Sequence, residues 1–216
     1  MQDIRFPLLN ITRHRLGIDG QGVTTLVAGA SCPLKCRYCI NHNILKRNRS
    51  EPVTANELYE RVRCDDLYFR ATGGGITFGG GEALLQAAFF SSFREICKDA
   101  WRLCAETSLA VPQDTVALAE KSIDEFIVDC KDMDPVIYHA YTGGDEKLME
   151  DNLRFLLKKA GPERVVVRVP LIPEYNTEEK REQSVDKLKE LGVTRLDIFS
   201  YVRRDENTEY PGEKKE

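Results

Sequence analysis

The 216-residue sequence lacks any apolar run approaching the ~20 residues of a membrane span. Its opening residues carry no apolar signal-peptide segment. Together these predict a cytoplasmic protein with no membrane part. A strong charge of either sign is also missing. With 31 Lys and Arg against 35 Asp and Glu the net charge is −4, which indicates no general nucleic-acid-binding surface. Internal repeats and low-complexity segments are absent, and the length suits one domain with a real core. Cysteines number seven, an odd count that fits a reducing cytosol better than a disulfide framework. Cys64, Cys97, Cys104 and Cys130 never pair at C-x2-C spacing, so no second metal cluster is expected. Cys97, on a helical pattern, reads as a small buried apolar residue.

What is present is one concentrated cysteine loop. Cys32, Cys36 and Cys39 stand in C-x3-C-x2-C spacing. Thiolates select zinc, copper(I) or iron–sulfur clusters. Three sulfurs on a four-iron cluster leave one iron open, whereas a cluster that only carries electrons usually takes four cysteines. Zinc normally takes four ligands in paired short spacings, and His42 is available as a fourth, so this stretch alone leaves zinc open.

Around the loop, strand-like runs alternate with helical ones. Residues 1–22 read as irregular, with a glycine-rich turn at Gly17-Ile18-Asp19-Gly20-Gln21-Gly22. Strands are expected at 23–28, 76–78, 102–107, 126–129, 165–170 and 196–199, six in all. Helices are expected at 54–67, 84–100, 113–121, 147–159 and 177–191, the first opened by a Thr54/Glu57 capping box. Such alternation demands parallel strands with helical crossovers. Apolar runs without alternation suggest strands covered on both faces. Six units are too few for a closed eight-stranded barrel. The expected fold is therefore an α/β open partial TIM barrel, (β/α)6, over residues 1–202, with a doubly wound sheet as the alternative. Residues 203–216 read as a charged, frayed tail.

In parallel α/β architectures, functional groups sit at the C-terminal ends of strands. The polar residues sort that way. The cysteine loop follows the first expected strand and Gly79-Gly80-Gly81-Glu82 the second. Glu106-Thr107 end the third, Asp129-Cys130-Lys131 the fourth, and Arg168 lies near the end of the fifth. Taken singly, the glycines read as a tight turn, Asp129 as a helix cap, Lys131 as a surface lysine and Arg168 as a rim ion pair. Five strands converging on one rim favour a site.

C-x3-C-x2-C with Tyr38 before the last cysteine resembles the cluster loop of radical S-adenosylmethionine (radical SAM) enzymes, and Gly80-Gly81-Glu82 resembles their GGE motif. Further segments are similar to the activating enzymes of glycyl radical enzymes, the pyruvate formate-lyase activating enzyme type. These are Asp19-Gly20-x-Gly22, Gly74-Gly75-Ile76-Thr77, Asp129-x-Lys131-x-Met133-Asp134, Tyr138-His139 with Thr142-Gly143, and Arg168-Val169-Pro170-Leu171-Ile172-Pro173. The likeness runs in order from about residue 13 to residue 200.

The resemblance implies a [4Fe-4S] cluster on Cys32, Cys36 and Cys39, with S-adenosyl-L-methionine on the open iron. Tyr38 would pack beside the cluster, and Asn41 stands where the family has an Asn. The backbone around Gly80 and Gly81 would bind the cofactor's amino group, with Glu82 as structural support. Glu106 and Thr107 would lie near its methionine end. Lys131 would meet the cofactor carboxylate, and Asp129 its ribose or a nearby cation. Asp19 and Arg168 would face a partner's glycine loop, which makes Lys131, Asp19 and Arg168 the candidate catalytic residues. The implied chemistry is reductive cleavage to a 5′-deoxyadenosyl radical that takes hydrogen from a glycine in a partner glycyl radical enzyme. A flavodoxin or ferredoxin would supply the electron. Only Cys64 lies in the roughly 40 residues between Cys39 and Gly80, too few cysteines for a ferredoxin-like insert.

Four positions depart from the family pattern. Ile40 follows the third cysteine where His is common, and Glu106 replaces an Asp. Gly79 replaces a small polar residue, and Tyr201-Val202 lacks the His of a Leu-Pro-Tyr-His run. These departures weigh against a typical glycyl radical enzyme as target. A radical SAM enzyme for a small molecule or peptide, and a structural zinc or cysteine domain, remain as competing readings. The short polar tail favours a protein or peptide target, and the lack of a peptide-capturing extension at either end speaks against peptide maturation.

Overall fold

A computed structural model describes residues 4–47 and 49–201. Eight strands among these residues form one sheet in the order β3-β1-β2-β4-β5-β6-β7-β8. They are β1 (Phe6–Leu16), β2 (Val23–Gly29), β3 (Glu51–Val53), β4 (Gly75–Gly80), β5 (Arg102–Thr107), β6 (Glu125–Asp129), β7 (Val165–Leu171) and β8 (Arg195–Ser200). The six expected strands are β2 and β4 to β8, and each pairs parallel with the next.

Residues 6–16 are not irregular as expected, while the glycine-rich turn at 17–22 is. β1 is an eleven-residue strand, antiparallel to β2 on one side and to β3 on the other. Its register breaks between Leu8 and Asn10 and between Thr12 and Arg15. Bulges of this kind interrupt the two-residue alternation by which a strand is read from sequence.

The helices are α1 (His42–Arg47), α2 (Ala55–Val62), α3 (Asp66–Thr72), α4 (Ala87–Cys97), α5 (Gln113–Glu120), α6 (Pro135–Thr142), α7 (Glu146–Ala160) and α8 (Glu178–Glu190). The Thr54/Glu57 capping box opens α2 as expected. The single helix expected over 54–67 is two, α2 and α3, joined by a 3-10 turn at Arg63–Asp65. Asp134 caps α6, accepting from the amides of Val136 and Ile137, with Pro135 in the first turn.

One apolar layer joins sheet and helices. Ile76, Phe78, Leu103, Phe126 and Val167 meet Leu58, Phe89, Phe93, Val116, Leu153 and Leu188 in a single cluster. Phe78 lies 4.6 Å from Phe90 and 5.8 Å from Phe93, centroid to centroid. Each such ring withdraws apolar surface worth about 1.5–3 kcal/mol. The strands are therefore not clad in helices on both faces. Their alternate residues line a polar concave face, which is the open partial barrel and not the doubly wound sheet. The frayed tail expected over 203–216 lies outside the described residues.

Candidate functional site

The cysteine loop leaves β2 through Ser31, whose φ of +76° is sparsely populated by L-residues and persists only where surroundings enforce it. They do so here. The Ser31 carbonyl accepts from the Glu82 amide at 2.9 Å, and the Gly29 carbonyl accepts from Gly81 at 3.0 Å. Further along, the amides of Lys35 and Arg37 donate to the Thr142 and Tyr141 carbonyls at 2.8 and 3.1 Å. The C-terminus of α6 thus spends its free carbonyls on the loop. Cys32, Cys36, Cys39 and His42 line one cavity of about 640 Å³.

Among the described residues no three His, Cys, Asp or Glu side chains converge as a single metal ion would need. A cluster asks something different, namely thiolates spread over separate irons, and three cysteines around one cavity fit it. Burial pushes the Cys36 thiol up to about 11, against the pull of Lys131, and burial also raises Cys32. Loading the loop must therefore displace protons.

The glycine turn after β4 is shaped chiefly by the protein itself. Gly80 has φ +90°, and a Cβ there would lie 2.8 Å from the Ala28 Cβ. At Gly81 a Cβ would lie 2.1 Å from the Ser31 carbonyl oxygen. The Asn41 amide donates to the Gly80 carbonyl at 2.7 Å, which ties the loop's far side to the turn. Glu82 is buried and accepts from Leu84 N, Thr107 Oγ1, Ser108 N and Ser108 Oγ at 2.6 to 3.1 Å. Burial raises its pKa, with Ser108 and Thr107 opposing. The Thr107 hydroxyl is therefore occupied by Glu82. Ser108, which sequence reasoning did not single out, completes the same knot.

Lys131 is no surface lysine. It is largely buried, and its Nζ sits 2.9 Å from Asp129. Burial lowers its pKa, but Asp129 and Cys36 outweigh this and the net shift is upward. Asp129 caps no helix. Arg168 is a hub on the concave face, 2.8 Å from Glu106, 3.6 Å from Asp197, 3.8 Å from Asp19 and 3.9 Å from Asp129. It also donates to the Ile18 carbonyl. Asp19 is 1% exposed, held by Arg15 and with its carbonyl accepting from Thr77 Oγ1 at 2.5 Å. Asp19, the one buried residue of the 17–22 turn, therefore sits inside the open barrel, and any contact it makes with a partner runs through Arg15 and Arg168.

Two departures from the family pattern, Gly79 and Glu106, lie against each other. A Cβ at Gly79 would lie 2.6 Å from Glu106 Oε2. The longer acid reaches Arg168 through space that a side chain at 79 would fill. Tyr38 donates to Glu174 at 2.7 Å, and its carbonyl accepts from the Tyr201 hydroxyl at 2.5 Å. Tyr141 and Tyr175 stand 5.9 and 5.7 Å away from it. Glu174 and Tyr175 carried no motif. The C-terminus of α6 did carry a signal in Thr142-Gly143, since Gly143 takes φ +70° as a helix terminator.

The sequence pattern of the Radical SAM superfamily matches residues 26–188. The chain belongs to the radical SAM superfamily. Within it, this radical SAM chain is 31% identical over 160 residues to the (2S)-3-sulfopropanediol dehydratase activating enzyme of Klebsiella oxytoca, covering 71% of this chain and 50% of that protein. It is 27% identical to the pyruvate formate-lyase 2-activating enzyme of Escherichia coli, covering 90% of this chain and 76% of that protein. The chain thus spans between half and three quarters of the length of these relatives. In fold it matches SuiB of Streptococcus suis bound to S-adenosylmethionine, with a TM-score of 0.63 at 15% identity over 85% of this chain and 41% of that one.

Proposed function

We propose that this radical SAM chain is an activating enzyme that takes a hydrogen atom from a glycine in a partner glycyl radical enzyme. The observation that carries this is the rim itself, where the three-cysteine cavity, the Gly80–Glu82 turn and the Lys131–Asp129 pair meet at adjoining strand ends. When bound, the [4Fe-4S] cluster and S-adenosyl-L-methionine would supply one-electron, radical chemistry. Cys32, Cys36 and Cys39 hold the cluster. Lys131, kept charged by Asp129, would pair with the cofactor carboxylate. Asn41 and Glu82 fix the Gly80–Gly81 backbone, which meets its amino group. On the concave face Arg168 holds Ile18 and borders Asp19, so a glycine loop entering from the open side meets Arg168 and the 17–22 turn.

Both relatives named above are activating enzymes of partner proteins, which supports a protein substrate. A flavodoxin or ferredoxin is the electron donor in this reading. No helix of the described residues is long and apolar enough to cross a membrane.

The test is anaerobic reconstitution with iron and sulfide, then dithionite and S-adenosylmethionine, with 5′-deoxyadenosine assayed. A brown protein that forms it and leaves a glycyl radical signal on an added pyruvate formate-lyase supports the proposal. Cleavage without that signal points to another substrate. A colourless protein returns the cysteines to a structural role.

A further inference from the structure

Charge along this chain is unevenly placed. From Gly20 to Ser50 there is none of its 35 Asp and Glu, yet five of its 31 Lys and Arg, namely Lys35, Arg37, Lys46, Arg47 and Arg49. All five are exposed. None has an ion-pair partner among the described residues. Exposed cations elsewhere are commonly paired, as in Arg61 with Glu51, Arg70 with Asp66, Lys147 with Asp151 and Lys180 with Asp134. Lys35, Arg37 and Lys46 line the same cavity as the three cysteines. Among them stand two exposed isoleucines, Ile40 at 62% and Ile44 at 42%. An apolar centre with a charged rim is the anatomy of a transient interface.

We propose that this face is the docking surface for an acidic one-electron carrier protein. The proposal rests on the radical SAM reading, which requires an electron at the group held by Cys32, Cys36 and Cys39. Electron transfer falls steeply with distance, so a donor must seat beside the cysteine loop, and this face is the loop's outer side together with α1. The carrier loses one electron, the cluster gains one, and no atom moves. Cations without an ion-pair partner among the described residues keep their field for the partner. The rest of the molecule, where acids outnumber bases, repels an acidic carrier and so orients it. Redox encounters are small and short-lived, and they draw their rate from such steering. The same segment explains why Ile40 replaces a histidine with no penalty in packing: its side chain faces out.

The test uses the double variant Arg47→Glu/Arg49→Glu, at two exposed cations that do not line the cysteine cavity, with Arg47→Gln/Arg49→Gln as a milder companion. Oxidised flavodoxin is titrated onto the reconstituted protein without S-adenosylmethionine, at low and at physiological salt. The wild type should bind, and more weakly as salt rises. The Glu variant should bind at least about tenfold more weakly and lose most of the salt dependence, with the Gln variant between. Flavodoxin-driven 5′-deoxyadenosine formation should fall with binding, while dithionite-driven formation stays at the wild-type rate. Equal binding by wild type and Glu variant overturns the proposal, as does a wild type that binds heparin and not flavodoxin. If dithionite supports no cleavage in the wild type, the radical SAM reading fails, and the binding titration still decides the surface on its own.

Discussion

The two faces of the sheet are built from alternate residues of the same strands. In β4, Ile76 and Phe78 join the helix-side core, while Thr77 bonds the Asp19 carbonyl and Gly79 borders Glu106. In β5, Leu103 and Ala105 belong to the core, whereas Cys104 and Glu106 meet Glu125 and Arg168. In β7, Val167 and Val169 flank Arg168. The helix side is held by volume, and each ring there is replaceable at a cost set by the cavity left. The concave side is held by matched charges and by glycines cut to fit them. There, a change at one position demands a change at another. Stability and chemistry are thus segregated by the two-residue period of a β-strand.

Substitutions can break that comparison. The largest effect is expected for Cys36→Ala, which should abolish the cluster's colour and 5′-deoxyadenosine formation together. The melting temperature should stay near that of the equally unloaded wild type, because Cys36 lies outside the apolar core. Cleavage by the Ala variant would defeat the functional reading. On the other face, Phe78→Ala should cost about 3–5 kcal/mol in denaturant unfolding, and a loss below about 1 kcal/mol would mean that the helix side is not what holds the sheet.

A smaller effect sharpens the contrast. Gly79→Ser places a side chain against Glu106 and should cost about 1–3 kcal/mol. Glu106→Asp removes the obstruction, so the Gly79→Ser/Glu106→Asp double variant should recover at least about 1 kcal/mol relative to the sum of the single changes. Strict additivity would show that the two departures are unrelated.

The smallest effect is one of pH. Burial pushes Glu106 up to about 7, with Arg168 opposing and Asp19 and Asp129 adding to the rise. The folded state then holds this proton more tightly than the unfolded chain. Its contribution to stability falls as pH rises from the ordinary 4.5 through about 7. Glu106→Gln should flatten the melting temperature over that window, and an unchanged slope would assign it to another group.

Much of this was legible along the chain because it is local. The six parallel strands, the capping box at Thr54 and the cysteine spacing depend on neighbours in sequence, whereas Ser108, Glu174 and Tyr175, which also enter the site, carry no such pattern. β1 was not legible, since its bulges hide the alternation. Nor was the division between α2 and α3, which turns on a 3-10 step that keeps the amphipathic period nearly intact. The role of the 17–22 turn escaped as well. Its glycines mark a turn, yet only Thr77 and Arg168, distant in sequence, show that the turn carries Asp19 into the barrel.

By itself the sequence determined the chemistry on offer, namely three soft thiolates, a glycine turn and a set of charged strand ends, because residue identity and short spacing fix donor type and local backbone shape. Only the tertiary structure decided which of those groups are free. It spends Thr107 on Glu82 and Asn41 on Gly80, sets Asp19 beside Arg168, and joins Glu106 to Arg168 across the space that Gly79 leaves open. The physical reason is that a hydrogen bond or ion pair on the concave face joins strands and loops that are far apart along the chain, which no local pattern encodes.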